Sequence, residues 1–85
     1  MAWHVYLLRC ADNSLYCGIT NDLDRRVAAH NAGSASKYTR ARLPVALEAS
    51  VEVKDKSAAL KLELAIKKLP AKRKIEALRS HETTC

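Results

Sequence analysis

The chain has 85 residues, which allows one small domain (1–85) with a modest hydrophobic core. Its three cysteines fit neither a zinc site nor a disulfide framework. The formal net charge is +6, and the excess of Lys and Arg lies in the last third, a distribution typical either of a solvated surface or of a surface that binds a polyanion. No apolar run approaches the roughly 18 residues that span a bilayer, and the N-terminus lacks the layout of a signal peptide, so the sequence predicts a cytoplasmic protein that does not enter a membrane.

Two strands are predicted at the start of the chain. Trp3–Cys10 is apolar at most positions of both faces, which is typical of a strand covered on both sides. A turn at 11–14 separates it from Leu15–Thr20, so the two strands most simply form an antiparallel hairpin. In the second strand Gly18 shares a face with Tyr16, and the missing side chain either weakens the strand or lets another group approach its backbone.

A helix and a long loop follow the hairpin. Asn21, or Thr20 before it, is predicted to cap a helix that runs to about His30. Residues 31–44 combine a glycine and a proline with small polar residues, which predicts a loop. A short helical turn is predicted inside this loop at Ser36–Arg40.

The second half predicts a third strand and two helices. Val45–Val53 alternates with a period of two, and its apolar face is formed by Val45, Leu47, Ala49, Val51 and Val53. Ser57 is predicted to cap a helix that runs to about Leu69, and Pro70 suits the first turn of a last helix. The predicted fold is therefore an α/β (α+β) sandwich of order β-β-α-β-α-α, in which helices flank a three-stranded antiparallel sheet.

Five polar side chains that packing does not require could together hydrolyse a phosphodiester. That reaction needs a base for the attacking water, positive charge on the phosphate and usually a divalent metal. The candidates are Tyr6, Tyr16, Arg26, His30 and Glu63. Each also has a structural interpretation, because tyrosines are common core aromatics and Glu63 could simply pair with Lys67 one helical turn away.

The order and spacing of four segments resemble the GIY-YIG nuclease family, in particular its small stand-alone bacterial members. The segments are Val5–Leu7, Tyr16–Gly18 within "LYCGIT", "DLDRRVAAH" and "LELAIK". The resemblance covers Trp3 to Leu78. It implies a GIY-YIG fold and an endonuclease that cleaves DNA by in-line attack of water, leaving a 3′-hydroxyl and a 5′-phosphate. It also implies a single Mg²⁺ or Mn²⁺ ion as cofactor.

The resemblance assigns a role to each of the five candidates. Tyr6 and Tyr16 would lie side by side on paired strands, and one tyrosine would deprotonate water. Arg26 would bind the phosphate, Glu63 would hold the metal ion, and His30 would position the nucleophile or the phosphate. Ile19 departs from the pattern, because some relatives carry at this position a lysine that assists the tyrosine.

The resemblance extends to the loop "SKYTRAR", whose basic residues could bind the substrate backbone or could simply be solvated. The expected substrate-binding residues are Gly18, Lys37, Tyr38, Arg40, Arg42 and Lys67. The expected partner is DNA, either branched or single-stranded, in repair or recombination. Two alternatives stay open. One is a nucleic-acid-binding module with little or no catalysis, and the other is a protein that binds a partner, or a second copy as a homodimer, through Leu60 and Leu64.

Overall fold

Three antiparallel strands form the centre of the fold, as predicted. The computed structural model describes residues 2–83, the last three of them by their backbone alone. The elements in chain order are β1 (Trp3–Arg9), β2 (Leu15–Thr20), α1 (Leu23–Asn31), α2 (Lys37–Arg40), β3 (Ala46–Val53), α3 (Lys56–Lys67) and α4 (Ala71–Thr83). The strand order in the sheet is β2-β1-β3, so β1 is central and β2 is an edge strand. The short helix α2 confirms the helical turn expected within the loop.

The sheet separates two apolar clusters, because alternate side chains of a strand point to opposite faces. The face that α3 and α4 cover, here called the Val5 face, carries Val5, Leu7, Cys17 and Val51, packed against Ala59, Ile66 and Leu78. The other face, here called the Tyr6 face, carries Tyr6, Leu8 and Cys10, with Leu23 and Val27 of α1 packed against them. The candidate residues of β1 and α1 therefore lie in one layer, and those of α3 lie in the other.

The predicted caps of two helices are wrong. Asp22, and neither Thr20 nor Asn21, caps α1, because its carboxylate accepts the backbone N–H of Arg25. In α3 the cap is Asp55, whose carboxylate accepts the N–H of Ala58 at 2.8 Å, whereas Ser57 already lies within the helix. In both cases a carboxylate at the helix start also interacts favourably with the helix dipole.

The prediction that β3 has one continuous apolar face is wrong as well. Leu7 pairs with Ala49 but Leu8 pairs with Leu47, so an irregularity of the β-bulge type leaves Glu48 as the extra residue. A bulge shifts the alternation by one residue. As a result, Val51 is buried on the Val5 face and Val45 on the Tyr6 face.

Helix α3 carries an apolar stripe on its inner side. Ala59 and Ile66 are buried, while Leu60 and Leu64 on the outer side are exposed. Their contact with a partner stays a prediction. Within residues 2–83 no helix combines the length and the apolar character needed to cross a membrane. Cys10 and Cys17 are buried free thiols, and Cys85 lies outside the described residues.

Candidate active site

Tyr6 lies at the middle of the central strand, and Gly18 makes room for it. The two residues are paired across β1 and β2. A Cβ atom at position 18 would lie 2.5 Å from the Tyr6 hydroxyl oxygen and 2.6 Å from Cζ, so the phenol ring crosses the backbone of the edge strand. The close approach of Tyr6 accounts for a glycine at position 18, and the expected role of Gly18 in substrate binding stays a prediction.

A chain of buried hydrogen bonds begins at the Tyr6 hydroxyl. Its oxygen lies 2.9 Å from Nε2 of His30, and Nδ1 of His30 lies 2.8 Å from Oγ1 of Thr39. The Thr39 hydroxyl in turn donates to the carbonyl oxygen of Ser36 at 3.3 Å. All three side chains of the chain are buried, with Tyr6 and His30 each 1% exposed and Thr39 fully covered.

In one arrangement of protons each donor of this hydrogen-bond network has an acceptor within it. The single proton of the Thr39 hydroxyl goes to Ser36, so Thr39 accepts from the Nδ1–H of His30. A neutral imidazole has only one N–H, which leaves Nε2 as an acceptor for the Tyr6 hydroxyl proton. The network therefore presents a tyrosine whose proton already points at a base.

Burial sets the protonation of both groups. It raises the pKa of Tyr6 to about 12, with Tyr16 adding to the rise and the positive charge of Arg26 opposing it. Burial also lowers the pKa of His30 from its usual 6.5, and the charge of Arg26 lowers it further. Near neutral pH both side chains are neutral, and Arg26 favours the state in which Tyr6 has lost its proton.

Aromatic rings surround this hydrogen-bond chain. The ring centroid of Tyr16 lies 6.5 Å from that of Tyr6 and 5.1 Å from that of His30. On its other side Tyr16 meets Tyr38 at 5.8 Å. Edge and tilted contacts of this kind contribute beyond the area they bury. The structure therefore brings together four of the predicted residues: Tyr6, Tyr16, His30 and Tyr38.

The two arginines at the C-terminal end of helix α2 have different environments. The guanidinium of Arg42 lies 3.9 Å from the ring centroid of Tyr38 and also donates to Asp12 at 2.9 Å and to the Tyr38 carbonyl at 3.0 Å. Its donors are thus largely engaged within the protein. Arg40 and Lys37 are exposed on α2, where a substrate could reach them.

Glu63 lies in the other layer, on α3. Its carboxylate is 3.6 Å from the ammonium of Lys67, which is the structural pairing considered above, and its side chain is 15% exposed. Burial raises the pKa of the Cys17 thiol to about 11, and the nearby charge of Glu63 contributes to that rise. Glu63 is therefore close to β2 on the Val5 face. Within residues 2–80 no hydrogen bond or ion pair joins it to the tyrosines, Arg26 or His30.

The donor set restricts the kind of metal site that this chain could form. Among the described residues no three His, Cys, Asp or Glu side chains come together as a metal cage. One partly exposed carboxylate fits Mg²⁺, which keeps several waters and commonly binds through one or two carboxylates and substrate phosphates. Glu63 is such a carboxylate, and binding there would compete with its ion pair to Lys67.

A family model described as the GIY-YIG catalytic domain matches residues 2–76. This range contains both tyrosines of the paired strands, the hydrogen-bond chain and Glu63. The chain belongs to the GIY-YIG family. The GIY-YIG domain is a nuclease domain that acts on DNA, generally with a divalent metal, which confirms the resemblance at the level of the family.

Several similar proteins are small proteins named UPF0213. The chain is 54% identical over 77 residues to a UPF0213 protein of Vibrio cholerae, covering 89% of this chain and 75% of that protein. It is 46% identical over 82 residues to a UPF0213 protein of Xanthomonas axonopodis pv. citri, covering 96% and 80%. The solution structure of a protein from E. faecalis matches with a TM-score of 0.66 at 36% identity, over 95% of this chain and 86% of that one.

Sequence reasoning missed Thr39. A threonine in a polar loop is ordinarily read as solvated, whereas here it is fully buried against His30. The local signal is Ser36, which caps α2 by accepting the N–H of Tyr38. Because that cap fixes the start of the helix, it also fixes which residue of "SKYTR" faces inward.

Proposed function

We propose that this GIY-YIG protein is a metal-dependent endonuclease that hydrolyses DNA phosphodiester bonds, with Tyr6 as the base that activates water. The observation that carries this proposal is the buried chain from Tyr6 through His30 to Thr39, with Arg26 acting on the Tyr6 hydroxyl. A merely structural tyrosine needs a partner for its hydroxyl, but it needs no arginine beside it.

His30 supplies the proton acceptor that Tyr6 needs. The Tyr6 proton moves to Nε2 of His30, and the phenolate then takes a proton from water. The water oxygen forms a bond to phosphorus as the bond to the 3′ oxygen breaks in line. The leaving oxygen takes a proton from solvent and the protonated His30 releases its proton to solvent, which leaves a 3′-hydroxyl, a 5′-phosphate and the starting state of the site. Ile19 is not a lysine, so in this chain His30 and Arg26 together assume the task of assisting the tyrosine.

Positive charge is needed because the proton transfer creates ions in a buried place. Arg26 is exposed on α1, and its guanidinium offers a fork of donors that suits phosphate oxygens. Glu63 is the residue that would hold one Mg²⁺ or Mn²⁺ ion. Such an ion, when bound, supplies further positive charge to the phosphate and makes its water more acidic.

The substrate is proposed to be branched or single-stranded DNA, in repair or recombination. Lys37 and Arg40 are exposed beside the aromatic rings and would bind backbone phosphates, while Lys67 would do so once released from Glu63. The net charge of +6 favours association with such a polyanion.

The experiment is cleavage of labelled single-stranded, duplex, flapped and branched DNAs with Mg²⁺, Mn²⁺ or EDTA. We expect metal-dependent products that carry a 5′-phosphate, and losses of about 100-fold or more in Tyr6→Phe and Glu63→Gln. Glu52→Gln, an exposed glutamate on β3, is the matched control and should cleave like the wild type.

Two results would contradict the proposal. Undiminished cleavage by Tyr6→Phe would remove Tyr6 from the mechanism. Salt-sensitive binding of DNA without cleavage under any of the metal conditions would instead indicate the binding module.

A further inference from the structure

A cleft opens beside Arg26, away from the hydrogen-bond chain. It encloses about 540 Å³ between the start of β1, the end of β2 and the first turns of α1. Its apolar lining comes from Trp3, Ile19 and Ala29, and its polar lining includes Asn21, Arg25 and Arg26. A cleft of this size, with apolar walls and a few polar groups, has the dimensions of a small-molecule or nucleobase site.

Trp3 gives this cleft its chemical character. It is the sole tryptophan of the chain, and it packs against the apolar cluster of the Val5 face while remaining partly exposed. The ammonium of Lys56 lies 5.5 Å from its ring centroid, so the ring already accepts a cation–π contact. An indole in an open cleft rimmed by arginines is typical of a surface on which a nucleobase stacks.

Arg26 connects the two sites. Its charge acts on the Tyr6 hydroxyl, and its side chain also lines the cleft. A phosphate bound by Arg26 would therefore place one neighbouring nucleotide at the mouth of the cleft. The one carboxylate in the lining, that of Asp22, is engaged in capping α1, which limits its repulsion of a nucleic acid.

We infer that this cleft, the Trp3 cleft, binds an unstacked nucleobase of the nucleotide next to the phosphate held by Arg26. The inference rests on the proposed function, since it assumes that Arg26 binds the scissile phosphate. A base can enter the cleft only after leaving the helical stack, which costs least in single strands and at branch points. The Trp3 cleft thus selects DNA that is unpaired beside the cut.

The fluorescence of Trp3 tests the inference directly, because no other tryptophan contributes. The wild-type protein is titrated in EDTA with a short single-stranded oligonucleotide. It is then titrated with variants of that oligonucleotide, each of which has one abasic site at a different position. We expect saturable quenching by the intact strand, and an affinity about 5- to 100-fold lower when the abasic site falls at one particular position.

Two neighbouring alanines of α1 provide a matched pair of variants. Ala29 lines the cleft, whereas Ala28 is exposed and does not. Ala29→Leu fills the cleft and should abolish the effect of the abasic site, while Ala28→Leu, with the same change in side chain and helix propensity, should keep it. Equal quenching by intact and abasic strands, or equal behaviour of the two variants, would overturn the inference.

Cleavage assays separate this inference from the proposed function. Metal-dependent cleavage with no effect of any abasic site would refute the Trp3 cleft and leave the nuclease standing. Position-dependent quenching by a protein that cleaves nothing would support the cleft as a binding site and refute the nuclease.

Discussion

Thr39 is the residue on which the direction of the hydrogen-bond chain depends. Thr39→Val keeps the shape but leaves the Nδ1–H of His30 without an acceptor, which should cost about 1–3 kcal/mol of unfolding free energy. It also frees His30 to move its proton to Nε2, where it can no longer accept from Tyr6. We expect the cleavage rate to fall at least about 10-fold, because a positioned general base commonly contributes more than that to the rate.

Nitrogen chemical shifts of the His30 ring would report this change of tautomer, which a purely structural role would not produce. Thr39→Ser retains the hydroxyl and should restore both the tautomer and the cleavage rate. If Thr39→Val and Thr39→Ser cleave equally fast, Thr39 has no part in orienting His30.

Gly18 allows a test of how tightly Tyr6 is held. In Gly18→Ala the new methyl group would meet the hydroxyl end of the Tyr6 ring, which must shift away from His30. Overpacking of this kind costs about 1–3 kcal/mol, and we expect cleavage to be lost with it. Thermal unfolding and cleavage are measured together.

Gly33→Ala is the control for Gly18→Ala. Gly33 has a φ of +80°, so an alanine there is strained, but its Cβ would contact Arg40 at an ordinary 3.4 Å and would not approach Tyr6. It should lower stability by about 1 kcal/mol and leave cleavage intact. Loss of cleavage in both variants to the same degree would show that stability alone explains the effect of Gly18→Ala.

The order of strands and helices could be predicted because each element carries its own periodic signal. The alternation in the second strand also places Gly18 on one face with Tyr16, but the pairing of Gly18 with Tyr6 appears only in the register of β1 and β2. The bulge in β3 could not be predicted, since the alternation from Val45 to Val53 is unbroken in the sequence and the extra residue appears only in its pairing with β1. Thr39 was missed for a similar reason, because its partner His30 is reached by tertiary folding.

Asn31 fastens the end of α1 to the beginning of β3. Its side-chain oxygen accepts the N–H of Val45 at 2.8 Å, and its amide donates to the Val45 carbonyl at 2.9 Å. These bonds close the loop that carries Thr39. Asn31→Ala should lower the unfolding free energy by about 1–3 kcal/mol and speed amide hydrogen exchange across 32–44. Lys37→Ala, an exposed change in that loop, should change neither the unfolding free energy nor the exchange rate. Unchanged exchange in Asn31→Ala would contradict the role of Asn31 in fastening the loop.

The sheet divides the candidate site between two layers of the molecule. Tyr6, His30 and Arg26 belong to the layer of α1, and Glu63 belongs to the layer of α3. The two layers meet only around a sheet edge, and β2 is the edge strand that carries Tyr16 and Gly18. A substrate that contacts both Arg26 and an ion held by Glu63 must therefore lie across the edge of β2.

The buried neutral His30 makes the stability of the whole molecule depend on pH. The pKa of His30 is lowered in the folded state, so between that value and about 6.5 the unfolded chain binds a proton that the folded chain does not. The contribution of His30 to the unfolding free energy is complete above pH 6.5. It is lost as the pH falls toward the pKa of His30 in the folded state, at up to about 1.4 kcal/mol per pH unit. Urea unfolding at pH 7.5, 6.5 and 5.5 measures this slope while carboxylates remain ionised. His30→Gln should flatten the dependence of unfolding free energy on pH, and the control His4→Gln should leave it unchanged. If the slope persists in His30→Gln, groups other than His30 cause it.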